Sequence, residues 1–410
     1  MSLSVGAAAI DAHRQQLFDM SNLLAREPEL SWQEFKSHDR LCDLCESLGF
    51  TVTRSYKGIA TAFEARFSRG SDGPVVAFLS EFDALPGFPD GAGGQCVRHA
   101  CGHNEIAIAG VAAALALKAE LEAGTVTGTV RLLGTPAEET TGGKINLINA
   151  GAFEGVDFCM MVHPQSGYST AHARALAMWE VFATFTGRPA HAAGEPWLGV
   201  NALDAAVQAY NAVSMMRQQL QPTARIHGIF KEGGQAPNII PHRAVLHYYV
   251  RAQDRAELAG LCKRLERCFE AAALATGCTV QLEWPAEPFA EIMSNATLAD
   301  RWASHFTQLT GEPVVPPSSS LGSTDMGNVT QVVPGIHPCF KISDGDGCHT
   351  VGFADAAMTE HSHNRTLAAA KSMLLTAVDV MSDAALLTRV KSEFAESKAQ
   401  LDRKTALAKQ

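Results

Sequence analysis

PVVAFLSEFDALP, residues 74–86, decides the fold: a continuous apolar run of strand length breaks onto two carboxylates, Glu81 and Asp83, and then a proline turn. A run without polar alternation reads as a strand buried on both faces. The pattern recurs in TVRLLGTPAEE (129–139) and VDFCMMVHP (156–164), with helical stretches between them at 105–122 and around 144–150. Buried strands alternating with helices predict a largely parallel α/β sheet. Upstream, the stripe Leu17, Met20, Leu23, Leu24 and the stripe Leu41, Leu44, Leu48 mark two amphipathic helices within the first 50 residues.

Beyond residue 174 the period changes. LAMWEVFATFTG (176–187) alternates like a strand, 199–220 reads as a long helix, and ARIHGIFKEG (224–233) and RAVLHYYVRA (243–252) follow as strands. A helix over 254–277 and a last strand, CTVQLEW (278–284), complete the order β-α-β-β-α-β, the ferredoxin-like split motif. Helix–strand alternation then resumes, so 175–287 reads as a domain inserted into a discontinuous one formed by 1–174 and 288–410. VVPPSSSLGS (314–323) reads as an elaborate loop.

A chain of 410 residues is long enough for two cores, and 46% hydrophobic against 19% charged residues describes a globular protein. A net charge of -10 with no basic block argues against nucleic acid as a partner. No window of 18 apolar residues predicts a membrane span, and MSLSVGAAAIDAHRQQL (1–17) does not read as a secretory signal. Ten cysteines without the close spacing of a disulfide framework point to reduced thiols and a cytoplasmic location.

The chemistry-bearing residues gather at predicted strand ends and loop openings. Glu81 and Asp83 follow the first buried strand, Glu138 and Glu139 the second, and His163 the third; Cys101 and His103 sit in QCVRHACGHN (95–104), and His349 in DGDGCHT (344–350). Open α/β sheets bind ligands outside the carboxyl ends of their strands. Thiol, imidazole and carboxylate donors converging there suit a transition metal. A lone Cys-x-His is common by chance, and paired glutamates also favour a helix start; the joint placement carries the metal reading. His337 and His361 read as surface or hydrogen-bonded residues, and His227 and His242 as structural ones.

HACGHN (99–104), GTPAEETTGGK (134–144), MVHP (161–164), GRPAHAA (187–193), NIIPH (238–242) and GSTDMGN (322–328) together resemble the M20 metallopeptidase family. The likeness is strongest to its amidohydrolase branch, with the dipeptidase and aminobenzoyl-glutamate hydrolase subgroups. It implies a zinc-peptidase-like catalytic domain with an inserted lid and dimerisation domain, two divalent ions (Zn2+ or Mn2+), and a homodimer. On matching positions Cys101, His103, Glu139, His163 and His349 would be ligands and Glu138 the general base. Adjacent carboxylates do not easily ligate one centre together, which leaves one free to carry protons. Asp83 would orient a ligand, or alternatively cap the Leu85–Pro86 turn. His191 would stabilise an oxyanion, from a partner subunit or through closure in cis. Asn238 and Arg251 would hold a substrate carboxylate, with a structural ion pair as the alternative for Arg251, and Ser323 and Thr324 would add hydroxyl donors.

The resemblance thus implies hydrolysis of a small dipeptide or N-acyl amino acid bearing a free carboxylate. Amide formation, action on a specialised intermediate, or a catalytically silent relative are the alternatives; all six ligand and base positions are filled, which weighs against the last. Asn104, Glu105 and the tail VGFADAA (351–357) depart from the branch's usual pattern.

Overall fold

The computed structural model describes residues 4–70, 72–317 and 322–408. Residues 318–321, at the heart of the expected Pro/Ser loop, lie outside them. The chain divides into two compact units, Met1–Arg174 with Ile292–Gln400, and Ala175–Glu291 with Leu401–Gln410. The boundary expected at 287/288 falls instead at 291/292. Met178 and Phe289 exchange backbone hydrogen bonds of 3.0 and 2.9 Å, and the Glu291 carboxylate accepts from the Arg255 N–H, so the extra residues stay with the inserted unit. The C-terminal residues from Leu401 also group there, tied by an ion pair from Lys404 to Asp254.

Within the first unit the strands are β1 (Thr51–Arg54), β2 (Phe63–Arg69), β3 (Val75–Ser80), β4 (Leu85–Pro89), β5 (Gln95–Arg98), β6 (Gly128–Gly134), β7 (Phe158–Met160) and β8 (His163–Ser166). The second unit holds β9 (Ala177–Thr186), β10 (Arg225–Glu232), β11 (Arg243–Ala252) and β12 (Thr279–Glu283), after which β13 (Gly335–Ile336) and β14 (Cys339–Ser343) return to the first.

The main sheet runs β1-β2-β6-β3-β7-β13. Pairing is parallel from β6 through β13, and antiparallel where β1 and β2 extend the edge. In the β3/β6/β7 register, Ser80 pairs Gly134 and Phe78 pairs Met160, which brings the carboxyl ends of three strands to one edge. β6 is buried along its whole length, as its mainly apolar run requires. Its one charge, Arg131, is met by Glu64 at 2.5 Å and the Ala152 carbonyl at 2.8 Å. The Ala-rich helix His103–Ala123 is buried nearly all round. Gly110 lets it lie this close to β3, because a Cβ there would meet the Ser80 hydroxyl at 2.2 Å and the Leu79 carbonyl at 2.7 Å.

Three helices, not two, occupy the first 50 residues: Val5–Ala12 and Arg14–Arg26 break at His13, and Phe35–Ser47 follows. His13 leaves the helical region (φ -103, ψ 9), with its ring Nδ1 bonded to the Ala9 carbonyl at 2.9 Å.

The second unit has strand order β10-β11-β9-β12, every neighbour antiparallel. This is the ferredoxin-like arrangement. Val181, Ala183, Phe185, Leu246, Tyr248 and Val250 alternate inward onto the helices Ala202–Met216 and Arg255–Thr276. Both helices start on side-chain caps, Asn201 accepting from the Leu203 N–H and Asp254 from the Glu257 N–H.

Candidate metal centre

The sheet edge at the ends of β3, β6 and β7 collects the predicted thiol, imidazole and carboxylate donors of the first unit. Past β6 the chain turns through Ala137 in the left-handed region (φ 58). Its N–H is held by the Glu34 carboxylate at 2.9 Å. The turn presents Glu138 and Glu139. Gly102, with φ 77, makes the step from Cys101 into the helix that starts at His103; a Cβ there would strike the Pro164 ring at 2.5 Å. His349 also has a left-handed backbone (φ 68), pinned by its N–H to the Ala100 carbonyl at 2.7 Å.

These turns bring ligand atoms together in overlapping sets. Cys101, His103 and His163 offer atoms all within 4.8 Å of one another, as do Cys101, Glu139 and His349, and His103, Glu138 and Glu139. Cys101 Sγ lies 3.4 Å from His163 Nε2, and Glu139 Oε1 lies 3.7 Å from His103 Nε2 and 3.6 Å from His349 Nε2.

The donors are oriented from behind. His163 Nδ1 lies 2.6 Å from the Pro164 carbonyl, so this nitrogen carries the proton and Nε2 is left with its lone pair toward Cys101. His103 Nδ1 bonds Asp83 Oδ1 at 2.8 Å, turning its Nε2 to the centre. Asp83 Oδ2 accepts from the Ser31 hydroxyl at 2.8 Å and the Glu139 N–H at 3.0 Å. Among the described residues its hydrogen bonds go to His103, Ser31 and Glu139 rather than to the Leu85–Pro86 turn. A carboxylate–histidine pair of this kind fixes tautomer and ring direction for a metal.

The electrostatics point the same way. Burial works against charge on Asp83, but His103 outweighs it and holds the carboxyl at about 2. Burial, followed by the neighbouring His337 and His103, lowers the His163 pKa to about 3, so this ring stays neutral. Burial pushes Glu139 up to about 7, and burial with Glu81, Glu139 and Asp325 pushes Glu138 well above the carboxylate range. Too much negative charge is gathered here for the cations of the chain. His103 Nε2 and Glu139 Oε1, both from the predicted ligand set, are buried without a hydrogen-bond partner among the described residues. Orphaned nitrogen and oxygen donors beside a thiol fit a divalent transition ion.

The remaining predicted residues are elsewhere. Thr324 uses its hydroxyl to accept from the Met326 N–H at 3.1 Å, beside Ser323. His191, Asn238 and Arg251 belong to the second unit. His191 Nδ1 accepts from the Ala193 and Gly194 N–H groups at 3.2 and 3.0 Å, which puts its proton on the exposed Nε2. Asn238 is exposed, and its carbonyl accepts from the Ala192 N–H. The Arg251 guanidinium lies 5.9 Å over the Tyr249 ring.

Lys144 and Asp325, which also border the centre, stand in the sequence only inside the longer motifs GTPAEETTGGK and GSTDMGN. His337 is not at the surface: it is buried, with its ring edge-on to His163 at 5.6 Å. Its position just past a buried strand was the available signal. His361 is exposed, as expected. Two of the three branch departures have structural accounts: Asn104 donates to the Ser21 hydroxyl and the Ala357 carbonyl, and Glu105 pairs with His363 at 2.6 Å and with Thr366. Both face the helical layer.

The family model described as Peptidase family M20/M25/M40 matches residues 77–386. The chain is 43% identical over 402 residues to an Xaa-Arg dipeptidase of Mus musculus, covering 95% of this chain and 91% of that protein. It is 31% identical over 453 aligned residues to one of the p-aminobenzoyl-glutamate hydrolase subunits of Escherichia coli, covering 94% of this chain and 93% of that protein. Among solved structures, a dinuclear metal-binding peptidase of the M20 family from Bacillus subtilis superposes with a TM-score of 0.68 at 20% identity, over 91% of this chain and 99% of that one.

Proposed function

The chain belongs to peptidase family M20/M25/M40 and is a hydrolase, and from that premise we propose that its centre binds two divalent ions and hydrolyses the amide bond of a dipeptide or N-acyl amino acid bearing a free carboxylate. The observation that carries the reading is the overlap of the ligand sets: Cys101, His103 and Glu139 each belong to two of them. Cys101, His103, Glu139, His163 and His349 would hold the ions, Zn2+ or Mn2+. Bound there, the ions would polarise the scissile carbonyl and lower the pKa of a water.

The chain's own residues supply the rest. Glu138 sits beside the ligands in surroundings that raise its proton affinity. That suits it to take a proton from water and return it to the leaving amine. Asp83 holds His103 in its ligating tautomer. His191 presents an Nε2–H donor of fixed tautomer, the group needed to stabilise an oxyanion. Asn238 and Arg251 would receive the substrate carboxylate, since a guanidinium grips a carboxylate through paired hydrogen bonds. Ser323 and Thr324 would add hydroxyl donors; the Thr324 oxygen accepts from the Met326 N–H, which leaves its own O–H to donate. The free thiols support a reducing compartment such as the cytoplasm, and among the described residues no helix is long and apolar enough to cross a membrane.

The relatives set the first panel of substrates: Xaa-Arg and related dipeptides, beside N-acyl amino acids and p-aminobenzoyl-glutamate. Purified protein incubated with the panel and followed by mass spectrometry should show cleavage of at least one class. Chelator should stop it and Mn2+ or Zn2+ restore it. Cleavage that continues at full rate in chelator would defeat the reading.

A further inference from the structure

Lys144 is fully buried at the start of the helix Gly143–Asn149, and its ammonium lies 2.5 Å from Glu81 Oε1 and 2.7 Å from Asp325 Oδ1. The Lys144 backbone N–H donates to the other Asp325 oxygen at 2.9 Å, so Asp325 grips this residue at both ends. Glu81 is fixed by one oxygen only. Its Oε2 is buried without a hydrogen-bond partner and stands 3.5 Å from His103 Nε2, the nitrogen turned toward the centre. The carboxylates of Glu81, Glu138 and Asp325 offer oxygens within 4.8 Å of one another. A buried lysine is costly to hold, and one that serves two carboxylates beside a cation site invites a reason.

We propose that Lys144, locked by Asp325, is a positioning residue that restrains Glu81 from entering the ligand shell of the metal centre. The inference rests on the metal-centre reading above. A carboxylate anchored at one oxygen, with the other beside a ligating nitrogen, needs only a small rotation to reach a bound cation. A catalytic ion must keep a position open for water or substrate, and an extra carboxylate would fill it. The ammonium competes with the ions for Glu81 and keeps that position clear. Lys144 and Asp325 then act through Glu81 and touch no reacting atom.

The test uses the full chain loaded with Mn2+ or Zn2+. Lys144→Met should lower kcat by at least about tenfold, with KM changed by less than about threefold. Competition with a chelator should show the metal held more tightly than in the wild type. Adding Glu81→Gln to Lys144→Met should restore both values toward wild type, which a general folding defect would not allow. If Lys144→Met does not fold, Asp325→Asn keeps an acceptor for the ammonium but loses the charge; it should move kcat and metal affinity in the same directions, with the same rescue. A Lys144→Met protein that melts earlier but keeps wild-type kcat and metal affinity would overturn the proposal, as would a double variant no better than the single one. An Asp325→Asn protein unchanged in both readouts would overturn it too. A wild type that takes up no metal would instead defeat the underlying reading, before any variant is compared.

Discussion

Glu34 is buried beneath the turn that carries Glu138, accepting from the Ala137 N–H at 2.9 Å and the Thr61 hydroxyl at 3.0 Å. Burial, followed by the nearby charge of Asp83, raises its pKa from 4.5 to about 7. An acid whose pKa rises on folding costs no stability below its unfolded pKa. The cost grows as pH climbs from 4.5 to about 7 and is complete above that. Glu34→Gln should therefore stabilise the protein at about pH 8 by on the order of 2 kcal/mol, with the gain vanishing as pH falls toward the unfolded pKa, as read from thermal melts across pH. Asp83→Asn should weaken metal affinity by about 10–100-fold, measured by chelator competition in folded protein. Glu138, Glu139 and His163 stand out as candidates in the sequence because each follows a buried strand, whereas Cys101, His103 and His349 lie in loops and stand out through the motifs. Lys144 and Asp325 do not stand out, because they pair across 181 residues of sequence and their role exists only once the fold joins them.

Among the elements, β3, β6 and β7 were readable as mainly apolar runs, and β9 to β12 as alternating ones. β1 and β2 were overlooked: β1 has only four residues, and in β2 the charge of Glu64 is buried against Arg131 of β6, a pairing that exists only in the fold. β4 carries Pro86 and Pro89, and the four-residue β5 opens the loop-like QCVRHACGHN, so both look like loop. The helix His103–Ala123 depends on its alanines and on Gly110 for its approach to β3. Gly110→Ala adds a methyl against the Leu79 backbone carbonyl, and should cost about 1–3 kcal/mol by urea denaturation, despite alanine's better helix propensity.

For the whole molecule, the proposed metal ligands lie in the first unit and His191 in the second. A homodimer in which His191 serves the partner's site makes a sharp prediction. Glu138→Ala and His191→Ala should each be inactive alone. Co-expressed, they should recover roughly a quarter of wild-type turnover, because mixed dimers then hold one complete site. No recovery in verified mixed dimers would leave only closure in cis for His191. Hydrolysis by Glu138 beside a bound metal pair is tested by measuring metal content and amide cleavage together in wild type and Glu138→Ala. Metal content should be equal in the two, near two ions per chain, with turnover lower by a factor of at least about 100 in the variant. A wild type that binds no metal, or a Glu138→Ala protein that turns over at the wild-type rate, would contradict it.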